Sequence, residues 1–214
     1  MKRIKSIAVA AMIMVVTSAS AQFTNVRQSG SSSVINTDEW NSFWVEWNPS
    51  TFSPKRGDSE SFNAFSLGLS KSFSLTSSAP LFLEAGGGVQ YSFASDFISD
   101  DIKLSMLSIK IPLSLVYKFD IPNSSVSLMP YAGFNLRFNI LAKLSDDDSL
   151  DLFDKDDMGG SDNTWNRFQI GWQIGLKAKL GQSFLLGASY GTDFSEISEK
   201  VHINTATVSL GFTF

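Results

Sequence analysis

The chain has 214 residues, no Cys, 18 Phe and a formal charge of −4. Without Cys there is no disulfide scaffold, thiolate nucleophile, Cys-ligated metal or lipidated lipobox Cys. An acidic chain also lacks the electrostatic footprint that nucleic-acid binding needs, and the length suits a single domain.

At the N-terminus, Lys2, Arg3 and Lys5 precede an apolar run from Ile7 to Val16. Ser18-Ala19-Ser20-Ala21 follows, with small residues at −3 and −1 before Gln22. This three-part build predicts a secretory signal peptide over residues 1–21. The run is about half of the roughly twenty residues a membrane-spanning helix needs, and no later apolar run is longer. Removing residues 1–21 takes three of the 17 basic residues and none of the 21 acidic ones, moving the formal charge from −4 to −7. Residues 22–39 are polar and Ser-rich with no sustained period, and are predicted to be a flexible periplasmic lead-in.

From Trp40 onward the chain alternates over eight segments. Trp40–Asn48 sets Phe43, Val45 and Trp47 against Ser42, Trp44, Glu46 and Asn48. Phe62–Leu75 sets Phe65, Leu67, Leu69, Phe73 and Leu75 against Ala64 and a Ser/Gly series. Leu81–Ser95 opposes Leu81, Leu83, Val89, Tyr91 and Phe93 to Glu84, Gly86, Gly88, Gln90 and Ser92. Ile102–Phe119 opposes Leu107, Ile109, Ile111, Leu113, Leu115 and Tyr117 to Ser108, Lys110, Pro112 and Ser114. Val126–Ala142 sets Leu128, Phe134, Leu136, Phe138 and Ile140 against Tyr131, Gly133, Asn135, Arg137 and Asn139. Trp165–Leu180 sets Phe168, Ile170, Trp172, Ile174 and Leu176 against Arg167, Gln169, Gln173, Lys177 and Lys179. Ser183–Phe194 places Phe184, Leu186 and Tyr190 opposite Gly187, Ser189 and Gly191. Val201–Phe214 places Val208, Leu210, Phe212 and Phe214 opposite Thr205, Thr207, Ser209 and Gly211. Period two is the strand signal.

The chemistry of the two faces fixes the environment. A solvated face would carry Lys, Glu and Thr. Here the polar face is mostly Gly, Ser, Ala, Asn and Gln, which suits the crowded interior of a narrow barrel. The other face is an apolar, Phe- and Leu-rich band of the kind hydrocarbon demands. The prediction is an all-β, eight-stranded antiparallel up-and-down transmembrane β-barrel over residues 40–214, inserted among the lipids of a bacterial outer membrane. Joins at Thr76–Pro80, Asp120–Ser125 and Gly181-Gln182 are short and predicted to be periplasmic. The long acidic join Lys143–Thr164 falls on the outside, as barrel asymmetry requires. Pro112 cannot donate to a ladder and predicts a bulge or local irregularity.

The chain stops on Leu210-Gly211-Phe212-Thr213-Phe214. This resembles the terminal signal that the barrel-assembly machinery reads, with Leu210, Phe212 and Phe214 as its elements. Leu107-Ser108-Ile109-Lys110-Ile111-Pro112-Leu113-Ser114-Leu115, followed by Pro130-Tyr131-Ala132-Gly133-Phe134-Asn135, is similar to consecutive strands of the PorT-like and general outer-membrane β-barrel families of Bacteroidota. That resemblance covers most of residues 40–214 and brings no catalytic motif. Some members are accessory to protein secretion.

Candidate chemistry is sparse. Glu46, Glu84, Lys110, Arg137, Arg167 and Lys177 are predicted to point into the lumen. At this strand number side chains fill the lumen, so the charges are expected to pair as a plug rather than line an ion path. Asp146–Asp157 carries seven Asp and one Lys. Asp154, Asp156 and Gly159 resemble part of a calcium loop, but Met158 stands at a ligand position and Trp165 replaces the closing Glu, so a solvated acidic loop is expected. His202 is the single His. Outer-membrane lipid A deacylases use a His with a nearby Ser, yet His202-Ile203-Asn204 has no Ser two residues on, and Ser198 is near only in sequence. Trp40, Trp47, Trp165, Tyr117, Phe119, Tyr190 and Phe214 fall near strand ends and read as aromatic girdles. No cofactor, metal or enzymatic activity is predicted. A structural, interaction or secretion-accessory role with a protein partner at the outer loops or periplasmic segment comes first, with a small-solute pore and a lipid-modifying enzyme as alternatives.

Overall fold

The computed structural model describes residues 38–55, 57, 59–95, 97, 102–145, 149–154, 156–157 and 164–214. The predicted signal peptide and all of the lead-in before Asp38 lie outside the described residues.

The strands are β1 (Trp40–Trp47), β2 (Ser50–Pro54), β3 (Glu60–Ser74), β4 (Leu81–Ala94), β5 (Lys103–Tyr117), β6 (Phe119–Asp120), β7 (Val126–Ser145), β8 (Ser149–Asp151), β9 (Phe168–Leu180), β10 (Phe184–Asp193) and β11 (Val201–Thr213). All pairings are antiparallel, and β1 pairs with both β3 and β11, so the sheet closes on itself. β1 and β2 form one stave. Trp47 faces Phe65 and Val208, and three residues on Ser50 faces Phe62 and Thr205, so the register runs through unshifted. Pro49 interrupts this stave because it has no N–H to donate, although its carbonyl still accepts from the Ala206 N–H at 3.0 Å. β6 and β8 are short extensions on β7. The ring therefore has eight staves. Short turns join β3 to β4, β6 to β7 and β9 to β10 at one end; longer joins and the β7–β8 hairpin lie at the other.

Pro112 marks the local irregularity expected of it: no pairs form between Ile111-Pro112 and Gly86-Gly87, although it stays opposite Asn135 with no register shift. Two local details differ from the sequence reading. The bulge is in β7, where Leu107 faces Leu141 but Ser108 faces Asn139, leaving Ile140 as the extra residue. The long acidic join predicted from Lys143 also begins later, because β7 continues to Ser145 and pairs with β8, with Lys143 opposite Asp151.

The outer wall changes chemistry with height. On β5 it reads Lys103 and Ser105, then Leu107, Ile109, Ile111, Leu113, Leu115 and Tyr117. At a rise of about 3.3 Å per residue and a tilt of about 40°, the apolar run is roughly 25 Å high, the thickness of a barrel's lipid-facing band. Above the band the polarity inverts. Phe52, Phe62, Ala94, Leu104, Met106, Ala142 and Ile203 turn inward and pack with Phe97, Leu152 and Ile197 from the joins. Ser53, Ser61, Asn63, Lys103 and Lys143 occupy the neighbouring outward positions. A wall that is apolar inside and polar outside belongs in water. The long-loop end is thus a collar with its own apolar core, standing above the membrane-facing belt.

Candidate functional site: a layered lumen and its collar

Inward residues form three layers. At the short-turn end Trp40, Phe82, Val116, Met129, Tyr131 and Leu185 make an apolar floor, with the Trp40 and Phe82 rings 4.7 Å apart. The collar core forms an apolar lid. Phe52 stacks on Phe62 at 4.4 Å and meets Trp165 at 5.4 Å. Trp40 and Trp165 therefore do not belong to the girdles predicted for them: apolar partners inside draw them away from the lipid interface. Trp47, Tyr117, Phe119, Tyr190 and Phe214 are outward and exposed.

The middle layer is polar. Lys110 Nζ lies 2.5 Å from Glu46 Oε2, spanning from β5 to β1 across the lumen. Lys177 Nζ lies 2.5 Å from Glu84 Oε1, spanning from β9 to β4. The Arg137 guanidinium is paired with Asp193 of β10, with both side chains buried. The Ser66 hydroxyl donates to Glu46 at 2.9 Å and the Ser70 hydroxyl to Glu84 at 3.3 Å. Thr207 donates to Asn48, which donates to Ser66, each at 2.8 Å. Buried ions survive where charge partners and hydrogen bonds replace lost water; Glu46 and Glu84 each have a cation and a hydroxyl donor, and Asp193 has the Arg137 guanidinium.

Aromatic rings complete the packing. Lys110 Nζ sits 5.8 Å from the Trp44 ring centroid and Lys177 Nζ 4.9 Å from that of Tyr131, within or near the range of cation–π attraction. The glycines opposite make room for these rings. A Cβ at Gly68 would lie 2.4 Å from Trp44, one at Gly88 2.6 Å from Trp44, and one at Gly175 2.7 Å from Tyr131. The cavity left between Gln90, Lys110, Arg137, Gln173 and Asp193 is about 20 Å³, space for roughly one water.

Of the six lumen candidates, Glu46, Lys110, Glu84, Lys177 and Arg137 meet partners inside. Arg167 does not. It is exposed at the rim, where its Nη1 donates to the Ile140 carbonyl at 3.1 Å and its guanidinium lies 4.2 Å from the Phe153 ring centroid. The β7 bulge explains this: it frees a carbonyl that the guanidinium satisfies, and the bend at Arg167 ends the alternation before β9 begins. Asp193 was missed. Continuing the parity of Gly187, Ser189 and Gly191 by one step would have placed it inside. The floor was also legible in principle, because Phe82, Val116 and Leu185 sit in unbroken apolar triplets at strand ends.

His202 points outward from β11, beside inward Ile203. Its Nδ1 is 3.2 Å from the Asp193 carbonyl oxygen and its Nε2 is 3.7 Å from Glu196 Oε1, so its ring nitrogens face oxygen acceptors rather than a serine nucleophile. Of the predicted acidic loop Asp146–Asp157, residues 146–148 and 155 lie outside the described residues, as do 158–163 of the join that carries it. Of the described Asp residues, Asp157 accepts from the Asp151 N–H, Asp151 from the Phe153 N–H and Asp154 from the Asp156 N–H, at 2.9, 3.0 and 2.9 Å. These are turn-capping contacts. Leu210, Phe212 and Phe214 lie on the exposed outer face of the closing stave.

Comparison with known proteins agrees with this architecture. The model of the outer membrane protein beta-barrel domain matches residues 7–214. Ail, the attachment invasion locus protein of Yersinia pestis, solved with the heparin analogue sucrose octasulfate, superposes with a TM-score of 0.50 at 16% identity, covering 83% of this chain and 99% of that one. Neisserial surface protein A gives 0.49 at 18%, with 81% and 97% covered. The outer membrane enzyme PagL gives 0.47 at 16%, with 78% and 97% covered. At such identity the likeness to Ail concerns the fold alone. The comparison with curated proteins returned no match.

Proposed function

The chain belongs to the outer membrane protein beta-barrel domain family, and from that premise we propose that it is a non-conducting, non-enzymatic outer-membrane scaffold acting through its collar. One observation carries this reading. Among the described residues the lumen holds an apolar layer at each end and ion pairs between them, and the cavity between Gln90, Lys110, Arg137, Gln173 and Asp193 is about 20 Å³. Solute passage would require breaking buried pairs and displacing aromatic rings together. What remains available to a partner is the collar, where Phe97, Leu152, Phe153, Trp165 and Ile197 of the joins pack on the lid. A collar with its own apolar core holds these described anchor residues in place, which suits a structural, interaction or secretion-accessory role. The similarity of the Ile111-Pro112-Leu113 strand to PorT-like members supports the last of these. The short-turn end, where Asn41 and Phe214 hydrogen-bond, faces the periplasm in this reading.

Planar-bilayer recording of refolded protein tests the closed lumen. The expected trace is flat, and reproducible single-channel steps would overturn the proposal. Affinity capture from detergent-solubilised membranes then identifies the collar's partner, and capture unchanged by proteolytic removal of the collar joins would count against a collar role. We further propose that Leu210, Phe212 and Phe214 are read by the assembly machinery. Phe212→Ala/Phe214→Ala should lower folded protein in cells while purified chain still refolds into vesicles. Unchanged cellular assembly would refute that.

A further inference from the structure

An open notch of about 440 Å³ indents the outer wall beside Pro49, where β1 gives way to β2. It is lined by Pro49, Thr51, Ser61, Asn63, Tyr190 and Asn204. The depression arises because Pro49, Thr51, Ser61 and Ala206 are small while the neighbouring outward Trp47 and Tyr190 are large. Its height is defined by the wall around it. Trp47, Phe65, Tyr190 and Val208 are exposed apolar residues at its lower rim. Thr51, Ser53, Ser61 and His202 occupy outward positions above them. The notch thus straddles the line where hydrocarbon meets headgroups.

Its polar groups are held in place. The Trp47 Nε1–H donates to Asn63 Oδ1 at 3.1 Å, and Asn204 Nδ2 donates to Ser53 Oγ at 2.8 Å. Each amide is fixed by one end. That orients the Asn63 NH₂ group and the Asn204 carbonyl oxygen as a donor and an acceptor. Tyr190 adds an aromatic surface, steadied by Trp172 in an edge contact at 6.2 Å. Among the described residues no Lys or Arg lines the notch, so its described lining is neutral. Neutral amides, hydroxyls and an aromatic face together match a ring bearing hydroxyl groups, polar at its edge and apolar on its face.

We propose that this notch binds the saccharide headgroup of an outer-leaflet glycolipid, whose acyl chains lie along Ala206, Val208 and Phe65 below it. The proposal rests on the reading that the long-loop end faces outward. That orientation has its own test: the chain contains no Cys, so a Ser198→Cys variant should label with a membrane-impermeant maleimide on intact cells. Absence of labelling would overturn the orientation and the occupant together.

The binding test uses full-length barrel in nanodiscs of phosphatidylethanolamine and phosphatidylglycerol doped with lipopolysaccharide, extracted mildly and weighed by native mass spectrometry. Wild-type protein should retain lipopolysaccharide in preference to phospholipid. Asn63→Ala/Asn204→Ala should reduce that retention about tenfold, the loss of two modest hydrogen bonds. Lys103→Ala/Lys143→Ala, on the opposite wall, should leave retention unchanged. Should the double Asn variant fail to fold, Thr51→Trp fills the notch from an outward position and must produce the same loss. Equal retention by the notch variants, a loss confined to the lysine variant, or equal retention of phospholipid by wild type would each overturn the proposal.

Discussion

Lys110→Met removes one partner of a buried ion pair in the middle layer of the lumen. The side chains of Lys110 and Glu46 are 5% and 17% exposed and their charged atoms 2.5 Å apart. Breaking a buried pair from one side costs about 3–5 kcal/mol, because the surviving charge stays buried and unpaired. Glu46 retains the Ser66 hydroxyl and some access to water, which places Lys110→Met near the lower bound, about 3 kcal/mol. Glu46→Gln strands the more deeply buried ammonium and should cost a similar ~3 kcal/mol. The double variant Glu46→Gln/Lys110→Met leaves no unpaired ion and should cost about 2 kcal/mol or less, well under the sum. The assay is equilibrium urea unfolding of protein refolded in lipid vesicles, followed by tryptophan fluorescence. If the two single costs simply add in the double variant, Glu46 and Lys110 do not act as a pair and the account of the middle layer fails.

Trp44→Ala should destabilise by about 3–5 kcal/mol, the usual cost of deleting a buried aromatic, measured by the same unfolding. Gly88→Val, which drives a side chain into Trp44, should likewise lower the urea midpoint, whereas Gly187→Ala, whose nearest heavy atom is the Ser209 hydroxyl rather than backbone, should lower it less. Leu113→Arg at mid-band should cost about 2–4 kcal/mol and Ser105→Arg, just above the band, about 0–1 kcal/mol; equal costs would mean that the band is misplaced. Phe52→Ala removes the ring shared by Phe62, Phe97 and Trp165 in the collar core. Limited proteolysis should then cut the joins while the membrane-embedded staves stay protected, and an unchanged digestion pattern would argue against a lid.

The period of two and the contrast between Phe/Leu and Gly/Ser faces were enough to predict eight antiparallel staves around a narrow lumen. Those signals are local, since each residue's side of the sheet follows from its neighbours along the strand. Parity likewise places Glu46, Glu84, Lys110, Arg137 and Lys177 on the inner face. Which carboxylate meets which cation was not legible. Lys110 reaches Glu46 three staves away, and Lys177 reaches Glu84 across the lumen, so both pairs depend on ring closure and shear rather than on sequence spacing. The bulge at Ile140 resets the parity of β7 above it, and the bend at Arg167 ends the alternation before β9; no turn residue or proline announces either. The inversion of polarity at the collar was also decided in three dimensions. Parity already sets Phe62 in step with Ala64 and Leu104 in step with Ser108 on the inner face, but Phe52 falls in a predicted join, and only the closed ring gathers the three into one apolar lid above the membrane-facing belt.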